Sequence, residues 1–349
     1  MRIVVVGASG NVGTSLLACL AGEPEVGEVL GIARRRPSAS FPKTTWVEAD
    51  IVRDELEPHF LGADAVVHLA WAIQPSHEAA TLWRTNVDGS MSVFRAVAAA
   101  GVPALIYASS SGAYGPGPKD RRVGEDWPVT GIPTSFYSRH KAEVERRLDR
   151  LERERPELRV VRLRPGLTFK RDAAEGIRRL FAGPFLPSPL VRPGAVPLVP
   201  EHPRFRFQAV HSLDVGDAYR RAILSDARGA FNIAADPVLD GQAIARVLRA
   251  RPVRVSSRLL RMLASISWSL RMQPTPPGWV DLAFGVPILD TTRARRELGW
   301  IPHRTATEAL VELVQGLRHR TGAPTPVLAP DAGGPLRVRE LLTGVGGRP

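Results

Sequence analysis

Near its start the chain reads Arg2-Ile3-Val4-Val5-Val6-Gly7-Ala8-Ser9-Gly10-Asn11-Val12-Gly13. The β-branched run is typical of a buried parallel strand, and an apolar helical pattern (Leu16, Leu17, Leu20) follows the three glycines. Glycines allow a tight turn and a close approach of the backbone to a ligand, while a helix N-terminus offers free N–H groups to an anion. The spacing is G-x-x-G-x-x-G, directly behind the first strand. This strand, turn and helix predict a site for a dinucleotide pyrophosphate.

Strands and helices alternate through the rest of the chain. Further strands are predicted at 29–33, 46–51, 65–70, 105–109, 159–164, 206–211 and 229–233. Such alternation favours an α/β fold, a Rossmann-type doubly wound parallel sheet with helices on both faces. The second strand ends in Arg34-Arg35-Arg36, where an acidic residue would bind the ribose hydroxyls of NAD. Guanidinium groups suit the extra phosphate of NADP instead, so we predict that NADP is preferred and that NAD is possible.

Two scarce reactive side chains lie four residues apart, at Tyr137 and Lys141. The chain has four Tyr and four Lys, and independent placement would give this spacing in roughly one chain in twenty. The following residues read as helix, so the ammonium can lie beside the phenol and should lower its pKa. Tyr137 is therefore a candidate acid and base. The alternative is a surface tyrosine whose ring packs on a lysine stem.

Composition narrows the classes of function. One cysteine, Cys19, excludes an internal disulfide framework, and no run of about 18 apolar residues or signal peptide is seen, so we expect a cytoplasmic protein with no membrane partner. The net charge is +12, but the arginines are scattered, so we expect no nucleic-acid partner. His68, His140 and His211 lack metal-ligand spacing, and we expect no metal.

The chain divides into a dinucleotide domain, a cap and a tail. We assign 1–167 to the dinucleotide domain, with 206–233 and 290–320 returning to it, and 168–205 and 234–289 to a smaller, mostly helical substrate-binding cap. Helices are predicted at 215–224, capped by Asp214, and at 259–272 and 306–317. Residues 321–349 are dense in Gly and Pro and are expected to form a disordered tail.

With these elements in place, the chain resembles an extended short-chain dehydrogenase/reductase of the NAD-dependent epimerase/dehydratase family over residues 1–320. The resemblance rests on motifs in the family's order: Gly7-x-x-Gly10-x-x-Gly13, Asp50, His68-Leu69-Ala70, Asn86, Ser109-Ser110, Tyr114-Gly115, Tyr137-x-x-x-Lys141, Arg164-Pro165, His211 with Asp214, and Leu298-Gly299-Trp300.

The resemblance implies roles for individual residues. Ser110 would orient the substrate's hydroxyl or carbonyl, Tyr137 would pass the proton, and Lys141 would hold the nicotinamide ribose. An alternative for Ser110 is an ordinary serine in a turn. The residues implied to contact the cofactor are Gly7, Ser9, Gly10, Asn11, Val12, Gly13, Arg34, Arg35, Asp50, Ile51, Leu69, Ala70, Asn86, Ala108, Tyr137, Lys141, Pro165 and Leu167.

Several activities fit this family. Dehydratases carry an Asp-Glu pair after the active-site hydroxyl, where this chain has Ser111 and Gly112, so dehydration is disfavoured. Nucleotide-sugar epimerases commonly have an Asn after the sixth strand, which is missing from Arg164-Pro165-Gly166-Leu167. We therefore favour an NAD(P)-dependent reductase or dehydrogenase acting on a small molecule. The alternatives are a nucleotide-sugar epimerase with retained cofactor and a non-enzymatic NADP(H) sensor, and a homodimer is possible.

Overall fold

The computed structural model describes residues 1–183 and 194–331. Up to residue 183 the strands and α-helices are β1 Arg2–Val6, α1 Asn11–Ala21, β2 Glu28–Ala33, β3 Thr44–Glu48, α2 Glu57–Phe60, β4 Ala65–His68, α3 Ala79–Trp83, α4 Gly89–Ala99, β5 Ala104–Ala108, β6 Arg122–Val123, α5 Phe136–Glu154, β7 Arg159–Pro165, β8 Leu167–Phe169 and α6 Ala174–Phe181. From residue 194 they are β9 Leu198–Glu201, β10 Arg206–Phe207, β11 Ala209–His211, α7 Ser212–Leu224, β12 Gly229–Ile233, β13 Leu239–Asp240, α8 Gly241–Leu248, β14 Arg251–Arg254, α9 Ser257–Ser269, α10 Gly278–Gly285, β15 Ile288–Leu289, α11 Thr292–Glu297 and α12 Ala306–His319.

Seven parallel strands form the central sheet in the order β12-β7-β5-β4-β1-β2-β3. The strand order reverses at β1, which pairs with β2 on one side and β4 on the other. Ligands of open parallel sheets bind at the carboxyl ends of strands beside such a reversal. The predicted Rossmann-type fold is confirmed, and its glycine turn lies at this point.

Helices cover both faces of the sheet, and each face has its own apolar core. One core packs side chains of β1 such as Ile3 and Val5 against α1 and α7, while the other packs Val4 and Val6 towards α4 and α5. Ile3, Val4 and Val5 are fully buried. A strand enclosed on both faces needs apolar side chains at successive positions, which explains the uninterrupted β-branched run.

The structure corrects several predicted element boundaries. The strand expected over 206–211 is two short strands separated at Gln208, whose side chain exchanges two hydrogen bonds with the backbone of Leu289. The helix α7 begins at Ser212 rather than Val215, and His211 caps it. The Asp214 carboxylate accepts instead from the backbone N–H groups of His303 and Arg304, each at 3.1 Å, because it turns towards that loop.

The first part of the expected disordered tail is ordered. Thr325 and Leu328 are 2% and 3% exposed, and the Thr325 hydroxyl donates to the Ser9 carbonyl at 2.9 Å. The Pro324 carbonyl accepts from the Ala39 N–H at 3.2 Å. Few apolar residues are present, but these two contacts and the burial of Leu328 are enough to fix the segment. Residues 332–349 lie outside the described residues.

Candidate active site

The glycine turn provides a cradle at the carboxyl end of β1. Gly7 has a φ of +88°, and a Cβ there would lie 2.6 Å from the Ala70 nitrogen, so only glycine fits. A Cβ on Gly13 would overlap the Ala8 carbonyl, whereas a Cβ on Gly10 would meet only the Gly7 carbonyl oxygen at 3.4 Å. Gly10 is also the N-cap of α1 and has no side chain to cap its N–H groups. This turn fits a dinucleotide pyrophosphate.

The side chains and backbone of Ser9, Asn11 and Val12 hold the glycine turn in place. The Asn11 amide donates to the Thr168 carbonyl at 3.0 Å, while its buried Oδ1 has no partner within the described ranges. Val12 packs on the apolar core, and Ser9 is buried with its carbonyl bound to Thr325. The Oδ1 of Asn11 can accept a hydrogen bond from a ligand hydroxyl such as that of a ribose.

Other residues that were predicted to contact the cofactor follow the ends of the neighbouring strands β2, β3 and β4. Arg34 and Arg35 follow β2 and are exposed, and the Arg36 N–H donates to the Glu48 carboxylate at 2.9 Å. The Asp50 carboxylate accepts from the Val52 N–H at 2.9 Å, and Ile51 is buried beneath Gly89. Leu69 and Ala70 follow β4 and are partly exposed beside Gly7.

Asn86 supports a loop. It is fully buried, its Oδ1 accepts from the Ala72 N–H at 2.7 Å, and its Nδ2 donates to the Ala72 carbonyl at 2.8 Å. These two bonds fix the backbone that follows Ala70 and Trp71. Asn86 therefore fixes the loop that follows Ala70, and its contact with the cofactor stays a prediction.

Ser110 and Tyr137 meet at the carboxyl end of β5. Both side chains lie against Gly112, where an added Cβ would be 2.9 Å from the Tyr137 ring and 3.3 Å from the Ser110 Oγ, and the Ser110 hydroxyl accepts from the Gly112 N–H at 3.0 Å. Ser138, next to Tyr137, donates to the Gly112 carbonyl at 2.5 Å and so fixes the start of α5 against the serine turn. Ser110 therefore stabilises the turn after β5, and its side chain also lies beside Tyr137.

The pKa of Tyr137 is shifted opposite to the sequence prediction. Burial of the phenol raises its pKa above the ordinary value, and the hydrogen bond with Ser110 only partly offsets this. The Lys141 Nζ lies 6.0 Å from the centre of the tyrosine ring, held by the Ala108 carbonyl at 2.6 Å. Lys141 is therefore placed too far away to lower the pKa as expected. The phenol stays protonated at neutral pH, as a proton donor requires.

Lys141 occupies a buried position that the sequence did not reveal. It is 3% exposed, and burial holds the pKa of its ammonium well below the ordinary value, with Glu145 opposing this. Its Nζ lies 3.4 Å from the centre of the Trp71 ring, a cation–π contact. The Ala108 carbonyl accepts a hydrogen bond from Lys141.

Pro165 and Leu167, which were also predicted to contact the cofactor, lie at and just beyond the end of β7. Pro165 is half-buried, and Leu167 is 45% exposed.

Aromatic side chains pack around Tyr137 and form an aromatic wall. The ring centre of Trp71 lies 5.9 Å from that of Tyr137, and the centre of Trp279 lies 4.9 Å from it. Phe181 packs edge-on against Trp279. The buried indole N–H groups of Trp71 and Trp279 have no acceptor in the part of the chain that the structure describes. Trp279 lies in the segment 234–289 that the sequence assigned to the cap, whereas Trp71, which directly follows His68-Leu69-Ala70, was missed.

A buried ionic network lies directly beneath the site. Glu145, 1% exposed, accepts from the Arg164 guanidinium at 2.8 and 2.5 Å and from the Ser109 hydroxyl. Arg164 also donates to the Tyr114 hydroxyl at 2.9 Å. The sequence carried a signal for this network, since a buried strand that places arginines at 162 and 164 needs acidic partners. Residue 145 lies one helical turn beyond Lys141.

We expect residues 321–331 to stabilise the fold through their contact with the glycine turn. A chain ending at Arg320 loses the Thr325 bond to Ser9 and the burial of Leu328, and we expect the free energy of unfolding to fall by about 2–4 kcal/mol. Urea denaturation measures this. A chain ending at Asp331 is the control, and by composition the removal of 332–349 should have no effect. Equal stability of the chain ending at Arg320 and the full chain would contradict this role.

The described residues contain no group of three His, Cys, Asp or Glu placed to hold a metal ion. Within the same ranges, no helix has the length and apolar character needed to cross a membrane.

Several known proteins are similar to this chain in sequence. An uncharacterised protein of Mycobacterium tuberculosis is 29% identical over 326 residues, which are 92% of this chain, but the chain spans only 31% of that relative's length. A second uncharacterised protein of Mycobacterium tuberculosis is 29% identical over 327 residues, and the match covers 90% of this chain and 83% of that relative's length. The L-arabinose 1-dehydrogenase (NAD(P)(+)) of Haloferax volcanii is 34% identical over 112 residues, 32% of this chain and 41% of that protein.

Solved structures share the fold at low sequence identity. UDP-glucose 4-epimerase of Thermotoga maritima, solved with UDP-glucose, gives a TM-score of 0.68 at 21% identity, covering 91% of this chain and 99% of that one. UDP-glucose 4-epimerase of Thermus thermophilus, solved with NAD, gives 0.67 at 21%, again with 91% and 99% covered. The model of the NAD dependent epimerase/dehydratase family matches residues 3–234. Together with the glycine turn and the parallel sheet, this match shows that the chain belongs to the NAD dependent epimerase/dehydratase family.

Proposed function

We propose that the protein is a nicotinamide-dependent reductase or dehydrogenase that transfers hydride at a hydroxyl or carbonyl carbon of a moderately apolar small molecule. The observation that carries this proposal is the placement of Ser110 and Tyr137 together against Gly112, with Lys141 on the same helix as Tyr137 and with Trp71 and Trp279 packed around the tyrosine ring. A sensor or assembly protein would have no need of this set.

Each side chain has a definite part in the reaction. Ser110 and Tyr137 would both bond the substrate oxygen, so that oxygen is held where the phenolic proton can reach it. In reduction Tyr137 donates that proton as the carbonyl carbon gains hydride, and in oxidation it accepts the proton of the alcohol. The nicotinamide cofactor supplies only the hydride chemistry. Lys141, buried beside Trp71, would bind the ribose hydroxyls on that side of the site.

The surroundings of Tyr137 support an aromatic or apolar substrate. Trp71, Trp279 and Phe181 form flat apolar surfaces around the tyrosine. No titratable side chain follows Ser110, since Ser111-Gly112-Ala113 forms one short 3₁₀ turn, so nothing there would eliminate water. The chemistry of elimination is therefore disfavoured.

The competing activity is epimerisation of a nucleotide sugar, which the fold of the neighbours named above also supports. Mass spectrometry of the purified protein distinguishes the two, since an epimerase retains its oxidised cofactor through the cycle and a reductase releases it. We expect little retained cofactor, and oxidation of added NADPH or NADH by a panel of aryl and alkyl carbonyl compounds. Stoichiometric bound NAD with no net redox turnover would replace this proposal by the epimerase.

For the cofactor we propose NADP(H) over NAD(H). The support is the absence of an acid after β2 and the exposed guanidinium groups of Arg34 and Arg35, which suit a phosphate at the ribose. The Thermus thermophilus epimerase was solved with NAD, so the preference for NADP(H) depends on these arginines alone. We expect Arg34→Ala to weaken NADPH binding about tenfold, the cost of one charge-assisted bond, and to leave NADH binding unchanged.

Fluorescence titration of both cofactors measures this preference. Arg53→Ala, an exposed arginine beyond Asp50, is the matched control and should leave both affinities unchanged. If the wild type binds NADH as tightly as NADPH, or Arg34→Ala keeps the wild-type preference, then Arg34 is only a surface residue.

A further inference from the structure

The outer face of α9 is an exposed apolar stripe. Its large side chains are 43–65% exposed and recur at helical spacing, so they lie along one side of the helix: Leu259, Met262, Leu263, Ile266 and, directly after the helix, Leu270. No residue of α9 is buried. Single exposed apolar residues are ordinary, but a contiguous stripe of five marks a surface that another apolar phase covers.

The same part of the chain is strongly basic. Residues 241–280 contain seven arginines and no Asp or Glu. All seven are exposed: Arg246, Arg249, Arg251, Arg254, Arg258, Arg261 and Arg271. Asp281, the first acid beyond them, pairs with Arg261 at 3.0 Å. An anionic partner would therefore complement this region.

The inner side of α9 borders the candidate active site. The Trp268 indole stacks on His77 with ring centres 4.2 Å apart, and its N–H donates to the Ser76 hydroxyl at 3.0 Å. The next helix, α10, carries Trp279, which packs on Tyr137. A surface that covered the stripe would thus lie beside the aromatic wall of the site.

We propose that α9 lies flat on an anionic membrane surface, with the apolar stripe in the boundary between headgroups and acyl chains. An amphipathic helix with arginines beside a Leu, Met and Ile face has the pattern of helices that bind in this way. A second copy of the chain would fit less well, because a symmetric contact would bring two arginine-rich segments together. The expectation of no membrane partner rested on the lack of a spanning run, which excludes crossing the bilayer but not binding to its surface.

Co-sedimentation of the full chain with vesicles tests the proposal. We expect at least tenfold stronger partitioning onto phosphatidylcholine vesicles with 30% phosphatidylglycerol than onto pure phosphatidylcholine, and a marked loss in 0.5 M salt. The double change Leu263→Glu/Ile266→Glu should lower binding more than tenfold. Arg254→Gln and Arg258→Gln should each lower binding to anionic vesicles about fivefold.

Ile301→Glu is the matched control, since Ile301 is 62% exposed and lies outside the stripe, and it should bind as the wild type does. Thermal unfolding checks that the double variant folds, which is expected because both replaced side chains are half exposed. The proposal is overturned if binding does not depend on anionic lipid, or if the double variant binds equally well. It is also overturned if sedimentation velocity finds a dimer that the double change breaks while vesicles bind neither form.

Discussion

Replacing Tyr137 with phenylalanine should lower kcat about 10³-fold while leaving cofactor affinity within twofold of the wild type. The change removes only the phenolic hydroxyl, and the ring keeps its contacts with Trp71 and Trp279. Turnover is measured on whichever carbonyl or alcohol substrate the panel identifies, and affinity by cofactor fluorescence.

Tyr114→Phe is the matched control, because it removes the hydroxyl of another buried tyrosine. That hydroxyl bonds Asn232 and Arg164 and does not face the substrate, so stability should fall while kcat stays near the wild-type value. Lys141→Ala should instead damage both kcat and cofactor affinity. A near wild-type rate in Tyr137→Phe would remove the tyrosine from the mechanism.

The raised pKa of Tyr137 gives this reaction a direction-dependent pH profile. The phenol is protonated through the neutral range, so reduction should be flat there and decline only at alkaline pH, where the proton donor is lost. Alcohol oxidation needs the deprotonated form and should rise with pH over the same range. Initial rates in both directions measure this, and a reduction rate that rose with pH would contradict it.

The central fold was predictable because local patterns determine it. The uninterrupted apolar strands, the glycines and the alternation of elements each have one favourable arrangement, a parallel sheet covered on both faces. Spacing also predicted that Tyr137 and Lys141 lie on one helix, and the family resemblance pointed to Ser110; the catalytic roles of these three residues stay predictions. The spacing of residues in the sequence can predict that side chains share one helix or one edge of the sheet.

Features that depend on contacts between distant segments were not predictable in this way. The ordering of Thr325 depends on a carbonyl 316 residues earlier, at Ser9, and the composition of the segment gave no sign of it. The pKa direction of Tyr137 depends on where the Lys141 ammonium points, and Ala108 and Trp71 draw it away from the phenol. Sequence spacing places a side chain on a helix face but does not choose its rotamer.

The loss of Glu145 should destabilise the fold strongly. Glu145→Ala leaves the Arg164 guanidinium, 4% exposed, without its carboxylate, and it leaves Arg162 without a charge 3.5 Å away. Removing one partner of a buried pair costs about 3–5 kcal/mol, and we expect a loss of this size in the free energy of unfolding measured with urea. Glu143→Ala is the control on the same helix, because Glu143 pairs with the more exposed Arg146 and Arg147 and should cost about 1 kcal/mol or less.

The pH dependence of stability provides a separate check on the same pair. Burial by itself would raise the pKa of Glu145, but the hydrogen bonds and charge of Arg164 hold it below its usual range. A carboxylate with a depressed pKa stabilises the fold above its unfolded value of roughly 4.3, and this contribution is lost as pH falls through the folded pKa. The wild type should therefore lose stability on acidification below that point more steeply than Glu145→Gln. Parallel pH profiles for the two proteins would mean that Glu145 is not held ionised by Arg164.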